Sequence, residues 1–199
     1  MTDLLQLQKH FVLSHLREGD VCADFTMGNG HDTSFLSDVV GQSGKVYAFD
    51  IQKDAIENTK KQLENDGRYN NYILIHDSHS NLKNYIKEKI KVGMFNLGYL
   101  PGGDKTKTTK VETTIEAIKN ALDILDSDAI LIIAVYPGHE EGKKEGEAID
   151  AFLRTINKKC ISIGRYQIIN SDLSPFFYTC ETGKLSTQEY IEQNSTITN

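Results

Sequence analysis

Apolar and polar positions change their period several times along this chain, and each change marks an element. Leu4, Leu5, Leu7, Phe11, Val12 and Leu16 recur at helical spacing and predict an amphipathic leading helix over 4–16. Gly19-Asp20 ends it. The run VCADFT predicts a short strand at 21–26, followed by a Gly28-Asn29-Gly30 turn and a helix over 32–40. A second buried strand is predicted at 45–51. The helix after it, over 53–65, has Asp54, Glu57, Lys60, Lys61 and Glu64 on its wet face. Further strands are predicted at 72–77, 92–97 and 129–136, with helices over 80–90, 109–125 and 141–157. Two last strand-like runs, 161–170 and 175–181, are separated only by the polar turn Ser171-Asp172-Leu173-Ser174.

Strands that alternate with helices build a parallel sheet through right-handed crossovers. A turn as short as the last one joins only antiparallel strands. The expectation is a doubly wound α/β sheet of seven strands, mostly parallel, ending in an antiparallel hairpin. No repeat, low-complexity tract or linker interrupts the 199 residues, so one domain is expected across 1–199. No apolar run approaches the ~20 residues that span a bilayer, and the N-terminal stretch is too polar for a signal peptide. A cytoplasmic protein with no membrane contact is expected. A net charge of -6 argues against coating nucleic acid over the whole surface but leaves room for a local basic patch. Cys22, Cys160 and Cys180 form no C-x-x-C pair and read as buried free thiols. The six histidines have no zinc spacing, so no metal is expected.

Ligands of open α/β sheets bind beyond the carboxyl ends of the strands, near the point where strand order reverses. Chemistry-bearing residues follow the first four predicted strands. After the first come Asp24, Gly28, Asn29, Gly30 and Asp32, where glycines allow a tight turn and close approach to a ligand. Asp50 closes the second strand, where a carboxylate can take both hydroxyls of a ribose, with Gln52 adding a contact. Carboxylates on both sides of the glycine turn suit a cofactor carrying a sulfonium and an ammonium. They favour S-adenosylmethionine over the anionic pyrophosphate of NAD. Asp77, Ser78 and His79 follow the third strand as adenine or ribose contacts; Asp77 or Ser78 capping the next helix is the plainer alternative. Asn96 follows the fourth strand and completes the cofactor-side candidates.

The string Asn96-Leu97-Gly98-Tyr99-Leu100-Pro101-Gly102-Gly103-Asp104-Lys105 is the most specific in the chain. Amino-group methyltransferases often have N/D-P-P-Y/F at this place. Asn96 and Tyr99 occupy the ends of that pattern while Leu97-Gly98 replaces its prolines, which leaves open whether Asn96 holds a substrate amine. Taken together, DFTMGNGHD, FDIQ, HDSH, NLGYLPGGDK and YPGHEEG resemble, over essentially the whole chain, a family first labelled rRNA methylases. That family is now understood as tRNA methyltransferases of the wobble uridine. Glu141 departs from it, at a position where glycine is common.

The resemblance implies the class I methyltransferase fold with strand order 3-2-1-4-5-7-6. It implies S-adenosylmethionine as cofactor, held by Asn29, Asp50, Gln52, Ser78 and His79. The implied reaction is N-methylation of the exocyclic amine of 5-aminomethyl-2-thiouridine, with the tRNA anticodon region as partner. Tyr99, His139 and Asp104 become the catalytic candidates, and Leu100, Pro101, Gly102, Gly103, Lys105 and Lys107 the substrate-facing ones. Lys110, Lys143 and Lys144 extend a basic rim. Two alternatives stay open: a methyltransferase of the same fold acting on rRNA or a small amine, and a non-catalytic NAD- or nucleotide-binding module. A homodimer is one option for the assembly.

Overall fold

The computed structural model describes residues 3–98, 110–138, 140–171 and 173–183. Asp3 caps the first helix, α1 (Leu4–His15), its carboxylate accepting the N–H groups of Leu5 and Gln6. Then follow β1 (Val21–Asp24), α2 (His31–Val40), β2 (Lys45–Asp50), α3 (Lys53–Asn65) and β3 (Tyr72–His76). A 3-10 turn (His79–Asn81) leads into the single-turn α4 (Leu82–Tyr85) and β4 (Ile90–Asn96). The chain continues through α5 (Val111–Ile124), β5 (Leu125–Val135), α6 (Glu140–Leu153), β6 (Ile161–Gln167) and β7 (Phe176–Thr182).

The strands form one sheet in the order β3-β2-β1-β4-β5-β7-β6. All neighbours are parallel except β7, which runs antiparallel to both β5 and β6. This is the expected doubly wound sheet with its terminal hairpin. Side chains alternate across it, as the two-residue period of a strand requires. Val92, Met94, Ile130 and Ile132 pack with Val12, Leu16 and Leu36 on the face covered by α1 and α2. Phe95, Leu131 and Ile133 pack with Ala117, Ile118 and Ile149 on the face covered by α5 and α6. Both faces are therefore buried, and the central strands are apolar throughout.

The predicted helix over 80–90 is corrected. Leu82, Ile86 and Ile90 are buried at a spacing of four, which reads as a helix. The chain instead caps α4 at Ile86 and pairs Ile90 with Leu125 of β5, so ladder hydrogen bonds replace the helical ones. For the same reason β5 begins at Leu125, earlier than the predicted 129, and runs through the polar Asp126-Ser127-Asp128. Cys160 lies half-buried in the turn before β6 rather than in a strand. Cys22 and Cys180 are buried, and burial pushes both thiols up, Cys180 to about 12. Among the described residues no helix is long and apolar enough to cross a membrane.

Candidate functional site

Strand order reverses between β1 and β4, and a cavity of about 1520 Å³ opens beyond their carboxyl ends. That exceeds the roughly 300–1,000 Å³ usual for a single small ligand, so there is room for a cofactor and part of an acceptor.

The loop after β1 divides the labour of its residues. Gly28 borders the cavity with φ 53°, in the left-handed region that favours glycine. Its N–H donates to Asp50 Oδ2 at 3.1 Å, and its carbonyl accepts the Thr59 hydroxyl at 3.1 Å. Gly30, φ 85°, serves packing instead: a Cβ there would sit 2.8 Å from Thr59 Cα, so the glycine lets α2 and α3 meet. Asn29 lies on the cavity wall, its Oδ1 accepting from Asn58 Nδ2 at 3.0 Å. Asp24 was expected to meet the cofactor, but the structure sets it behind the loop, off the cavity wall. It accepts the Thr26 N–H at 3.1 Å and the Thr33 hydroxyl at 2.6 Å. Burial, then the nearby Asp32 charge, pushes its carboxyl up to about 7.

Asp50 ends β2 and is held open. Oδ2 accepts the Gly28 N–H and Oδ1 the Gln52 N–H at 2.9 Å, and a carboxylate so held keeps accepting capacity for a ligand. Burial raises its pKa. Gln52 stands at the N-cap of α3 without spending its side chain on capping, and it lines the cavity.

After β3, Asp77 is occupied locally. It accepts from the Tyr85 hydroxyl at 2.8 Å, Asn81 Nδ2 at 3.0 Å and the Ser78 N–H at 2.7 Å, and the first two bonds hold its pKa below the usual carboxylate range. Ser78 caps the 3-10 turn through the Ser80 N–H. The capping alternative therefore holds for Ser78, while Asp77, Ser78 and His79 all still border the cavity. His79 is half-buried, its ring edge-on to Phe95, and its Nδ1 lies 3.1 Å from the Phe25 carbonyl. Burial lowers its pKa, which favours the neutral ring. The carbonyl claims the Nδ1 proton and leaves Nε2 as an acceptor.

At the end of β4, Asn96 is tied from two sides. Its N–H donates to the Thr26 hydroxyl at 2.7 Å and its Nδ2 donates to Asp32 Oδ2. Its Oδ1 is buried and has no partner among the described residues. Leaving a buried acceptor unfilled costs about 1–3 kcal/mol. Burial raises the Asp32 pKa, against the opposing pull of Lys9, His31 and the Asn96 bond.

Residues that the sequence reading did not select complete the cavity. Gln6 and Lys9 come from α1, Tyr136 from the end of β5, and Leu173 and Pro175 from the loop before β7. Tyr136 lies within the YPGHEEG string and could have been picked out there. Burial, and then Asp32, raises its phenol, which keeps it a neutral donor. No local signal marks the others. Lys110 also lines the cavity, whereas Lys144 is bonded to Glu140 at 3.0 Å and Glu141 at 3.2 Å. Tyr99, Leu100, Pro101, Gly102, Gly103, Asp104, Lys105, Lys107 and His139 lie outside the described residues.

Comparison with known proteins gives consistent relatives. The model of the family described as "Putative rRNA methylase" matches residues 46–181. A chloroplastic tRNA (mnm(5)s(2)U34)-methyltransferase of Arabidopsis thaliana is 37% identical over 80% of the chain, which spans 62% of that protein's length. A solved structure described as an rRNA-methylase of Clostridium thermocellum is 37% identical and superposes with a TM-score of 0.89, covering 92% of this chain and 98% of the other. A methyltransferase-like protein of Streptococcus mutans, solved in complex with SAH, is 34% identical with a TM-score of 0.83, covering 92% of this chain and 99% of the other.

Proposed function

The chain belongs to the family described as rRNA methylases, and from that premise we propose that it is an S-adenosylmethionine-dependent methyltransferase of tRNA. In this reading it N-methylates the exocyclic amine of 5-aminomethyl-2-thiouridine at the wobble position. The observation that carries the reading is Asn96, which lines the cavity at the end of β4 and whose buried Oδ1 has no donor among the described residues. An unfilled acceptor suits an arriving N–H. The names of the Arabidopsis and Streptococcus mutans relatives supply the tRNA and the SAH.

The residues present fit the cofactor. Asp24 and Asp50 are both raised by burial, a strain that a ligand bearing positive charge relieves. Asp50 and Gln52 would hold the ribose, His79 and Ser78 the adenine side, and Gly28 and Asn29 the approach along the loop. When bound, S-adenosylmethionine supplies a methyl group on a sulfonium, whose leaving group is a neutral thioether. The protein must then hold the amine nitrogen at about 3–3.5 Å from that carbon. Asn96 Oδ1 accepts one amine hydrogen and aims the lone pair. A primary alkylamine has a pKa of about 10, so a proton must leave it before attack. His139 or Asp104 would take that proton and Tyr99 would stack on the base; sequence carries these three assignments. Three free cysteines suit a reducing compartment such as the cytoplasm.

Incubation of purified protein and labelled cofactor with two tRNAs tests the reading. The tRNA carrying the aminomethyl group should be methylated, at a rate that rises with pH, and the tRNA with unmodified wobble uridine should not. Equal labelling of both would place the acceptor elsewhere. Lys110 and Lys144 separate the two halves of the basic rim. Lys110→Ala should weaken tRNA binding and lower its salt slope by roughly one counterion. Lys144→Ala should leave the slope alone, because Glu140 and Glu141 already neutralise that ammonium. Equal effects in a salt titration would show that the tRNA covers both.

A further inference from the structure

We propose that Asp32 is a positioning residue for the acceptor: its carboxylate fixes the Asn96 amide so that Oδ1, and not the NH₂ group, is the atom left for the substrate. The inference rests on the amine-acceptor reading above. A carboxamide is nearly symmetric in shape, and its partners decide which end points where. An ionised carboxylate only accepts, so Asp32 Oδ2 must be met by Nδ2. The main chain at Asn96 is pinned separately by Thr26, in the loop after β1. The strand and the first turn of α2 together leave the amide one orientation, with Oδ1 buried and without a partner among the described residues. Lys9 and His31 act on Asp32 toward the ionised form that this arrangement needs. A residue at position 32 that can donate would let the amide turn over and present N–H to N–H. The site would then repel an amine that it had been built to accept.

The competing role is a charge contact from Asp32 to the cofactor, which predicts lost cofactor affinity. Asp32→Asn, Asn96→Asp and the reciprocal pair Asp32→Asn/Asn96→Asp separate the two. In the reciprocal pair the amide at 32 donates to the carboxylate at 96, which again leaves an oxygen for the substrate. Single-turnover methylation of the aminomethyl tRNA should fall about tenfold or more in Asp32→Asn. Affinity for S-adenosylhomocysteine, read by calorimetry, should change far less. The reciprocal pair should recover most of the rate, and Asn96→Asp alone, with two carboxylates facing each other, should not. A loss of rate matched by an equal loss of affinity, or a reciprocal pair no faster than Asp32→Asn, overturns the proposal. A substrate-free readout keeps it separate from the acceptor reading. In ¹⁵N-labelled protein one Asn96 side-chain amide proton should be shifted downfield and protected from exchange, and Asp32→Asn should abolish both. If the parent protein fails to methylate the aminomethyl tRNA, the acceptor reading falls, and this signal still decides whether Asp32 holds the amide.

Discussion

Asp50→Ala should weaken S-adenosylhomocysteine binding by about 2–3 kcal/mol, roughly 30- to 150-fold, as read by calorimetry. Two losses combine. The ligand loses a charge-assisted contact from a carboxylate at the end of β2. The loop loses its brace as well, because the same carboxylate joins the Gly28 N–H to the Gln52 N–H. Asp50→Asn distinguishes the two. It keeps one accepting oxygen but turns an NH₂ toward one of those backbone donors, so the loop and the α3 N-terminus are pushed apart while a polar group remains for the ribose. If the brace matters most, Asp50→Asn should lose nearly as much affinity as Asp50→Ala; if the ligand contact matters most, it should lose less. Unchanged affinity in Asp50→Ala would mean that no vicinal diol is held between β1 and β2.

The alternation of patterns made the sheet legible, because parallel strands buried on both faces carry apolar runs that helices interrupt. Asp50 and Asn96 were legible for a related reason. In a doubly wound sheet the residue closing a strand near the reversal point faces the ligand crevice, and both end their strands. The same logic misplaced Asp24. It also closes a strand, but Thr26 and Thr33 draw its carboxylate inward, and no spacing in the sequence announces that pair of bonds. Gly30 misled differently. Its left-handed φ was foreseeable, but whether a glycine makes way for a ligand or for Thr59 depends on how the distant α3 packs. Gln6, Lys9 and Leu173 reach the cavity from the two ends of the chain. Such contacts depend on how α1 and the β6–β7 loop are laid over the sheet, which periodicity does not encode.

Asp24→Asn should make the protein more stable near neutral pH and less able to hold its cofactor. Asp24 is buried, and desolvation together with the Asp32 charge lifts its carboxyl from 3.8 to about 7. In the pH interval between those values the folded protein binds a proton that the unfolded chain does not. Stability contributed by the protonated form is thus complete below about pH 4 and is lost as pH rises through about 7. An amide at this position keeps an oxygen for the Thr26 N–H, and the Thr33 hydroxyl can turn to accept from its NH₂, so no polar group is orphaned. At about pH 8 the variant should be favoured by on the order of 2 kcal/mol, or about 4–8 °C in Tm. Near pH 5 the advantage should be smaller, and below about pH 4 it should vanish, because only there is the carboxyl neutral in both the folded and the unfolded chain. Parallel melting curves at the two values would show that Asp24 does not carry the proton. A buried charge that costs stability is retained where it serves the site. Asp24 lies one turn behind the loop, and its negative potential reaches the cavity beside Asp32. Affinity for S-adenosylmethionine should therefore drop in the variant, more at pH 8 than at pH 5, and more than affinity for the uncharged thioether of S-adenosylhomocysteine. Equal losses for the two ligands would mean that Asp24 acts on the shape of the loop and not on the sulfonium.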